Sequence, residues 1–262
     1  MSLCLIPIVW AMPKEATLLA QLERYNALTN LDVPVLTKAQ RIELSQGQVV
    51  KLIQRGDSST GAVEAGKVRA YYVTDLPKHQ LWLAFQDAHF QIQEMTTDYL
   101  YKEHTQDKMD WYGFIDLFWP LSDRHWLVRV WNSHEIAQKS NNEIWEHPWK
   151  LIDNGAELMQ SRIDKGLVDG ISQSMFEQAI YLPASNGTWV AMDVEDHTLL
   201  IYSATATVGG SIPEELMMRY LLSGLDTFIL EGERRARTVM PKHYVDPHPS
   251  IFGGDGSPIP LY

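Results

Sequence analysis

Ser122, Asp123 and His125 are the residue types of an acyl-transfer relay, and they lie within four positions of one another. A relay needs the base beside the nucleophile and the acid behind the base. On a strand, alternate side chains point to opposite faces, so Asp123 and His125 face away from Ser122 and no relay can form. His134-Glu135 lacks the second histidine of a zinc helix. His243 and His248 fall in a proline-rich stretch, and Gly253-Gly254-Asp255-Gly256 is a glycine cluster with no helix after it. The chain has no G-x-S-x-G, phosphate loop or H-E-x-x-H pattern. These residues point to no catalytic site, metal site or cofactor.

Arg124 stands out for another reason. It shares one face of a strand with Trp126, Val128 and Val130, while His125, Leu127 and Arg129 take the other. A guanidinium at the edge of an apolar wall needs a carboxylate or a ligand oxygen as partner. Trp119, Trp126, Trp149 and Trp189 are among nine tryptophans and fall in strands or their connections. Aromatic walls with a few polar groups describe a ligand pocket as well as a core. Tyr202 and Tyr220 allow both readings. Gly224 is either a point of close approach for sheet or ligand, or a tolerated weak point in a helix. The candidate ligand-binding set is Arg124, Trp126, Val128, Val130, Trp189, Tyr202, Tyr220 and Gly224.

Several elements must position these residues. Pro13 to Leu28 carries Leu18, Leu19, Leu22 and Tyr25 at helical spacing, and Asn30 to Pro34 ends that helix. Gln48 to Ile53, closed by Gly56-Asp57-Ser58, and Val68 to Val73, entered through Gly61 and Gly66, read as strands. A short helix starts near Asp75 and Pro77 and shows Leu81, Trp82 and Phe85 on its apolar face. Mostly strands run from Phe90 to Asn132, and another spans Glu143 to Ile152. Two helical pieces follow, Ala156 to Lys165 and Ser172 to Ala179. The strands Thr188 to Val194 and Thr198 to Thr207 come next, joined through Glu195-Asp196.

The last helix carries the strongest pattern. Ser211 caps it, Ile212-Pro213 opens it, and Glu214-Glu215 suit its N-terminal dipole. Leu216, Met217, Tyr220, Leu221, Gly224, Leu225, Phe228 and Ile229 form one broad apolar face. Burying its seven side chains would be worth on the order of 10–20 kcal/mol. Met240 to Tyr262 holds five prolines and three glycines and is expected to be extended or disordered. Strands with a few helices, then one long terminal helix, make an α+β layout.

Composition narrows the function classes. The 262 residues are 45% hydrophobic and 21% charged, enough for a substantial core. A net charge of −11 excludes nucleic acid as a partner, because affinity for phosphates comes from lysine and arginine releasing counterions. One cysteine, Cys4, excludes an internal disulfide and a cysteine-rich metal site. No apolar stretch reaches the roughly 18 residues that span a bilayer. Residues 1–11 are apolar, but they lack a basic start and are shorter than a usual leader. As a leader they place the protein in the periplasm; as a packing segment they leave it in the cytoplasm.

Three runs resemble one family in its order and spacing. Asp116 to Val128, with Pro120-Leu121-Ser122-Asp123-Arg124 at its centre, resembles a strand segment of START domains, the StAR-related lipid-transfer domains. Val208-Gly209-Gly210-Ser211-Ile212-Pro213 resembles that family's entry into its C-terminal helix. Asp75-Leu76-Pro77 through Leu81-Trp82 to Asp87 resembles a family helix, with Phe85 in place of a leucine. The resemblance spans Gly47 to Arg237. It implies a helix-grip fold of the SRPBCC superfamily, bacterial in type: a curved antiparallel sheet around a long C-terminal helix, enclosing a hydrophobic cavity. It also implies binding of a lipid or other apolar small molecule, with its transfer and a transient membrane contact as further expectations, and no enzymatic activity. The alternative is an enzyme of the same superfamily, cyclase- or hydrolase-like, acting on an apolar substrate. The chain departs from the family at Thr205 to Val208, where animal members carry an aspartate before the Gly-Gly turn. The organisation expected is an N-terminal segment and helix (1–46), a START-like ligand-binding domain (47–239) and a tail (240–262).

Overall fold

The computed structural model describes residues 12–29, 34, 36–54, 67–86, 97–117, 121–207, 209–210 and 214–262. The sequence-based leader (1–11), the first helix break (30–33), the turns and glycines at 56–66, Phe90, Trp119 and the helix entry at 211–213 lie outside the described residues, as does the side chain of Tyr220.

The chain opens with helices α1 (Glu15–Leu28) and α2 (Lys38–Ser45). Strands β1 (Val50–Gln54) and β2 (Lys67–Thr74) and helix α3 (Lys78–Gln86) follow. Then come β3 (Asp98–Thr105), β4 (Lys108–Ile115), β5 (Arg124–Trp131), α4 (His134–Lys139) and β6 (Ile144–Leu151). Helices α5 (Gly155–Asp164) and α6 (Gln173–Gln178) lead to β7 (Ile180–Tyr181), β8 (Ala184–Val194) and β9 (His197–Thr207). The chain finishes with α7 (Glu214–Thr238) and α8 (Met240–His243).

The strands form one sheet in the order β1-β2-β9-β8-β6-β5-β4-β3. All neighbours are antiparallel except β7, which lies parallel beside β5. Its two faces bury different sets of residues because side chains alternate along each strand. The convex face takes Tyr71, Val73, Val190, Met192 and Ile201 under α1 and α2, which contribute Leu18, Leu22, Tyr25 and Leu44. Further along that face, Leu127, Tyr112 and Phe114 are sealed by Met159 and Ile163 of α5 and Phe176 of α6. The concave face takes Ala70, Tyr72, Ala191 and Leu200 under α3 and α7. Among the described residues no helix is long and apolar enough to cross a membrane.

Three expectations change. Helix α2, with its Thr37–Gln40 capping box, and helix α4 were not anticipated, because each is too short to show a periodic stripe. The inward face of α7 keeps Leu225, Phe228 and Ile229 as expected but loses two of its other members. Leu216 is 56% exposed. Gly224 is exposed, and a Cβ added there would meet nothing within 4 Å. Leu222 and Ala236 join Leu225 and Ile229 in the packed stripe. Close approach occurs at Gly232, where a Cβ would come within 2.2 Å of the Phe85 ring.

The third change is the tail, which is packed rather than extended or disordered. Tyr244 is fully buried, and its hydroxyl donates to the Ile259 carbonyl and accepts from the Ile251 amide, each at 2.9 Å. Gly253 and Gly254 lie so close to the Trp145 indole that any Cβ would clash at 2.7–2.8 Å. Glycines that signal flexibility in composition here permit contact.

Candidate ligand-binding site

The register places the candidate β5 residues on the concave face. Val130 pairs with Trp149 of β6, and Val128 pairs with Trp111 of β4. Trp126 sits opposite Gly113, and Trp149 sits opposite Gly187. A Cβ on Gly113 would fall 2.4 Å from the Trp126 indole, and one on Gly187 would fall 2.2 Å from the Trp149 indole. Each tryptophan therefore lies down across a glycine on a neighbouring strand instead of standing up from the sheet. Glycine within a strand often marks such an approach. Two wide apolar rings thus pave the wall and lie low on the sheet.

The paving continues as a chain of aromatic contacts. Trp149 stacks on Tyr202 at 5.6 Å, and Tyr202 meets Trp189 at 4.5 Å. Trp189 stacks on Phe85 of α3 at 4.8 Å and touches Phe228 of α7 at 5.5 Å. Trp189 and Tyr202, both candidates, thus join the sheet to the gripping helix. Burial pushes the Tyr202 hydroxyl up to about 12, yet the residue keeps accessible surface. Trp111, Met109, Trp126 and Trp149 are also only partly buried, around a smaller core of Val128, Val130 and Leu151.

Arg124 ends this wall. It is 2% exposed. Its guanidinium donates to the Ser122 carbonyl, to the Asp123 carbonyl at 3.1 Å and to the Gly209 carbonyl at 3.0 Å. The carboxylate or ligand partner expected for it is replaced, in these contacts, by backbone oxygens. One of them belongs to the turn that leads into α7. Gly209 and Gly210 both have positive φ, at 66° and 76°. Burial lowers the Arg124 pKa from its usual value, with the Asp123 charge acting against that shift.

Two of the catalytic residue types have other partners. The Asp123 carboxylate accepts from the Leu117 amide at 2.9 Å. His125 lies on the convex face against Tyr112, Phe176 and Tyr181, where burial lowers its pKa to about 4. Asp193, which shares its strand face with Trp189, accepts from Lys78 at 2.7 Å. Among the described residues no cluster could hold a metal ion.

Three contributors escaped the sequence reading. Gly113 and Gly187 carried a signal, an isolated glycine within a strand, but the tryptophan each receives is set by register. Asp98 of β3 pairs with Gly113 and so shares the concave face; burial pushes its carboxyl up to about 6. Nothing local to Asp98 announces that face.

No family model matches the chain, and no curated protein matches its sequence. Solved structures match its fold. The crystal structure of human STARD10 superposes with a TM-score of 0.52 at 11% identity, covering 83% of this chain and 87% of that one. The STAR-related lipid transfer protein from Xanthomonas axonopodis gives a TM-score of 0.48 at 14% identity, covering 72% of this chain and 92% of that one. At these identities the likeness is one of fold.

Proposed function

We propose that this chain, which has the helix-grip fold seen in START domains, binds a lipid or similar apolar small molecule between its β4–β6 wall and α7. The observation that carries the proposal is the pair of tryptophans laid flat over Gly113 and Gly187. They make the wall apolar and recessed at once. Binding would draw on apolar area leaving water, worth roughly 25 cal/mol per Å². Val128, Val130, Trp189 and Tyr202 supply more of that surface. Arg124 contributes by holding the turn into α7. Tyr220 and Gly224, from the same helix, complete the candidate set. Leu216, exposed in the first turns of α7, suits transient contact with a membrane during loading.

An enzyme of the same superfamily would need an acid and a base within reach of one substrate atom. The acidic and imidazole side chains on the concave face include Asp98 on β3, His147 on β6 and Asp193 on β8. Asp98 and His147 are separated by three strand spacings and several residues along the strands, on the order of 20 Å. Asp193 is taken by Lys78. This favours binding over catalysis.

Organic extraction of protein purified from its native host, followed by mass spectrometry, should recover an apolar ligand. Replacing Val128 with Trp should then abolish uptake of that ligand and leave the circular-dichroism spectrum unchanged. An empty extract, together with no thermal shift from a lipid panel, would overturn the proposal.

A further inference from the structure

His147 of β6 shares the concave face with Trp149 and pairs with Trp189 across to β8. It sits where the wall meets α3 and the C-terminal strap, with its ring edge-on to Trp82 at 6.0 Å. Its Nδ1 lies 2.8 Å from Asn132 Oδ1. The same asparagine directs its Nδ2 at two strap carbonyls, Phe252 and Gly253, each at 3.1 Å. Only the NH₂ group can face two carbonyls, so the amide orientation is determined. Oδ1 is then an acceptor, and Nδ1 of His147 must carry the proton and donate. Burial lowers the ring's pKa to about 3, so the imidazole is neutral near neutral pH. A neutral ring protonated at Nδ1 has a bare lone pair at Nε2.

That Nε2 has no hydrogen-bond partner among the described residues. Within the ring it lies on the side away from the Nδ1–Asn132 bond, and the side chain stands on the face shared with Trp149 and Trp189. The residue keeps 9% of its surface accessible. Nε2 itself is not sealed, and a ligand hydroxyl reaching it would complete its hydrogen bonding.

We propose that His147 Nε2 is the polar end-stop of the cavity and selects apolar ligands that carry a hydroxyl or other neutral hydrogen-bond donor at the end inserted toward the strap. This rests on the apolar-ligand reading above. The strap takes part at one remove: its carbonyls orient Asn132, and Asn132 sets the tautomer of His147. An anionic head has nothing to gain at this end, because a neutral imidazole protonated at Nδ1 offers it only a lone pair.

The test uses the full chain with hexadecanol, cholesterol and the methyl ether of each. Methylation removes the donor and keeps the apolar surface. The alcohol that binds should bind about tenfold tighter than its ether, one hydrogen bond's worth. His147→Phe should erase that ratio while retaining ether binding. In ¹⁵N-histidine-labelled wild type, His147 should be protonated at Nδ1, and its Nε2 resonance should move with alcohol and not with ether. This readout decides the matter if His147→Phe does not fold. Equal affinities with an unmoved Nε2 resonance, or a proton found on Nε2 in the free protein, overturn the end-stop and leave the cavity reading intact. If neither alcohols nor ethers bind and a wider lipid panel also fails, both readings fall.

Discussion

The two faces of β5 are built from residues of similar apolarity and reach opposite ends. On the convex side Leu127 is fully buried and His125 nearly so, pressed against Met159, Phe176 and their neighbours from α5 and α6. On the concave side Val128 and Val130 are covered, while Trp126 and the adjoining Trp111 and Trp149 keep accessible surface. The difference lies in what sits above each face. Two short helices pack directly on the convex side. On the concave side, α7 and α3 press on β2, β8 and β9, where Ala70 and Ala191 let them come close. One half of the concave face is therefore a core, and the other is the wall of the proposed site.

This contrast can be broken from either side. The largest effect on stability is expected from Leu127→Ala. It should cost about 3 kcal/mol, the usual range for a buried leucine with little room to collapse. Ligand uptake by the molecules that remain folded should be unchanged. Urea denaturation with a ligand titration checks both, and a loss below about 1 kcal/mol would show that the convex side is not close-packed.

A smaller effect belongs to Asp98, on the concave side. Its carboxyl is pushed up to about 6 in the fold, against about 3.9 in an unfolded chain. The folded state therefore holds the proton more tightly than the unfolded one. Stability should rise as pH falls through about 6 towards 4 and be lower above that window. Asp98→Asn should remove this dependence and stabilise the protein at neutral pH by about 2 kcal/mol. Melting curves for the two proteins that run parallel across this range would contradict the assignment.

The smallest stability change should come from Gly113→Ala, which sharpens the comparison. The three atoms nearest the added methyl all belong to the Trp126 indole, so the indole must lift off the sheet. A cost of about 1 kcal/mol is expected, with ligand affinity reduced several-fold. Full affinity in that variant would mean that the flat ring does not line the site.

Much of this arrangement was legible before any coordinates. The alternation from Arg124 to Val130 assigns its faces by itself, because a strand has a period of two. The Glu195-Asp196 connection likewise places β8 against β9. Other parts were not legible, for physical reasons. Helix α7 is apolar over so much of its circumference that composition could not choose the inward stripe. The Phe85 ring chooses it by fitting over Gly232. The Pro- and Gly-rich tail read as loose because its partners, Trp145, Trp82 and Asn132, are more than a hundred residues away in sequence.

By itself, the sequence determined the kind of wall this protein builds, an alternating apolar strand facing a long terminal helix, because local periodicity encodes which way side chains point. Only the tertiary structure decided how that wall is surfaced. Its surface depends on which tryptophan meets which glycine, on where α7 packs, and on the C-terminal segment that orients Asn132. Each is a contact between residues distant along the chain, and no local pattern records it.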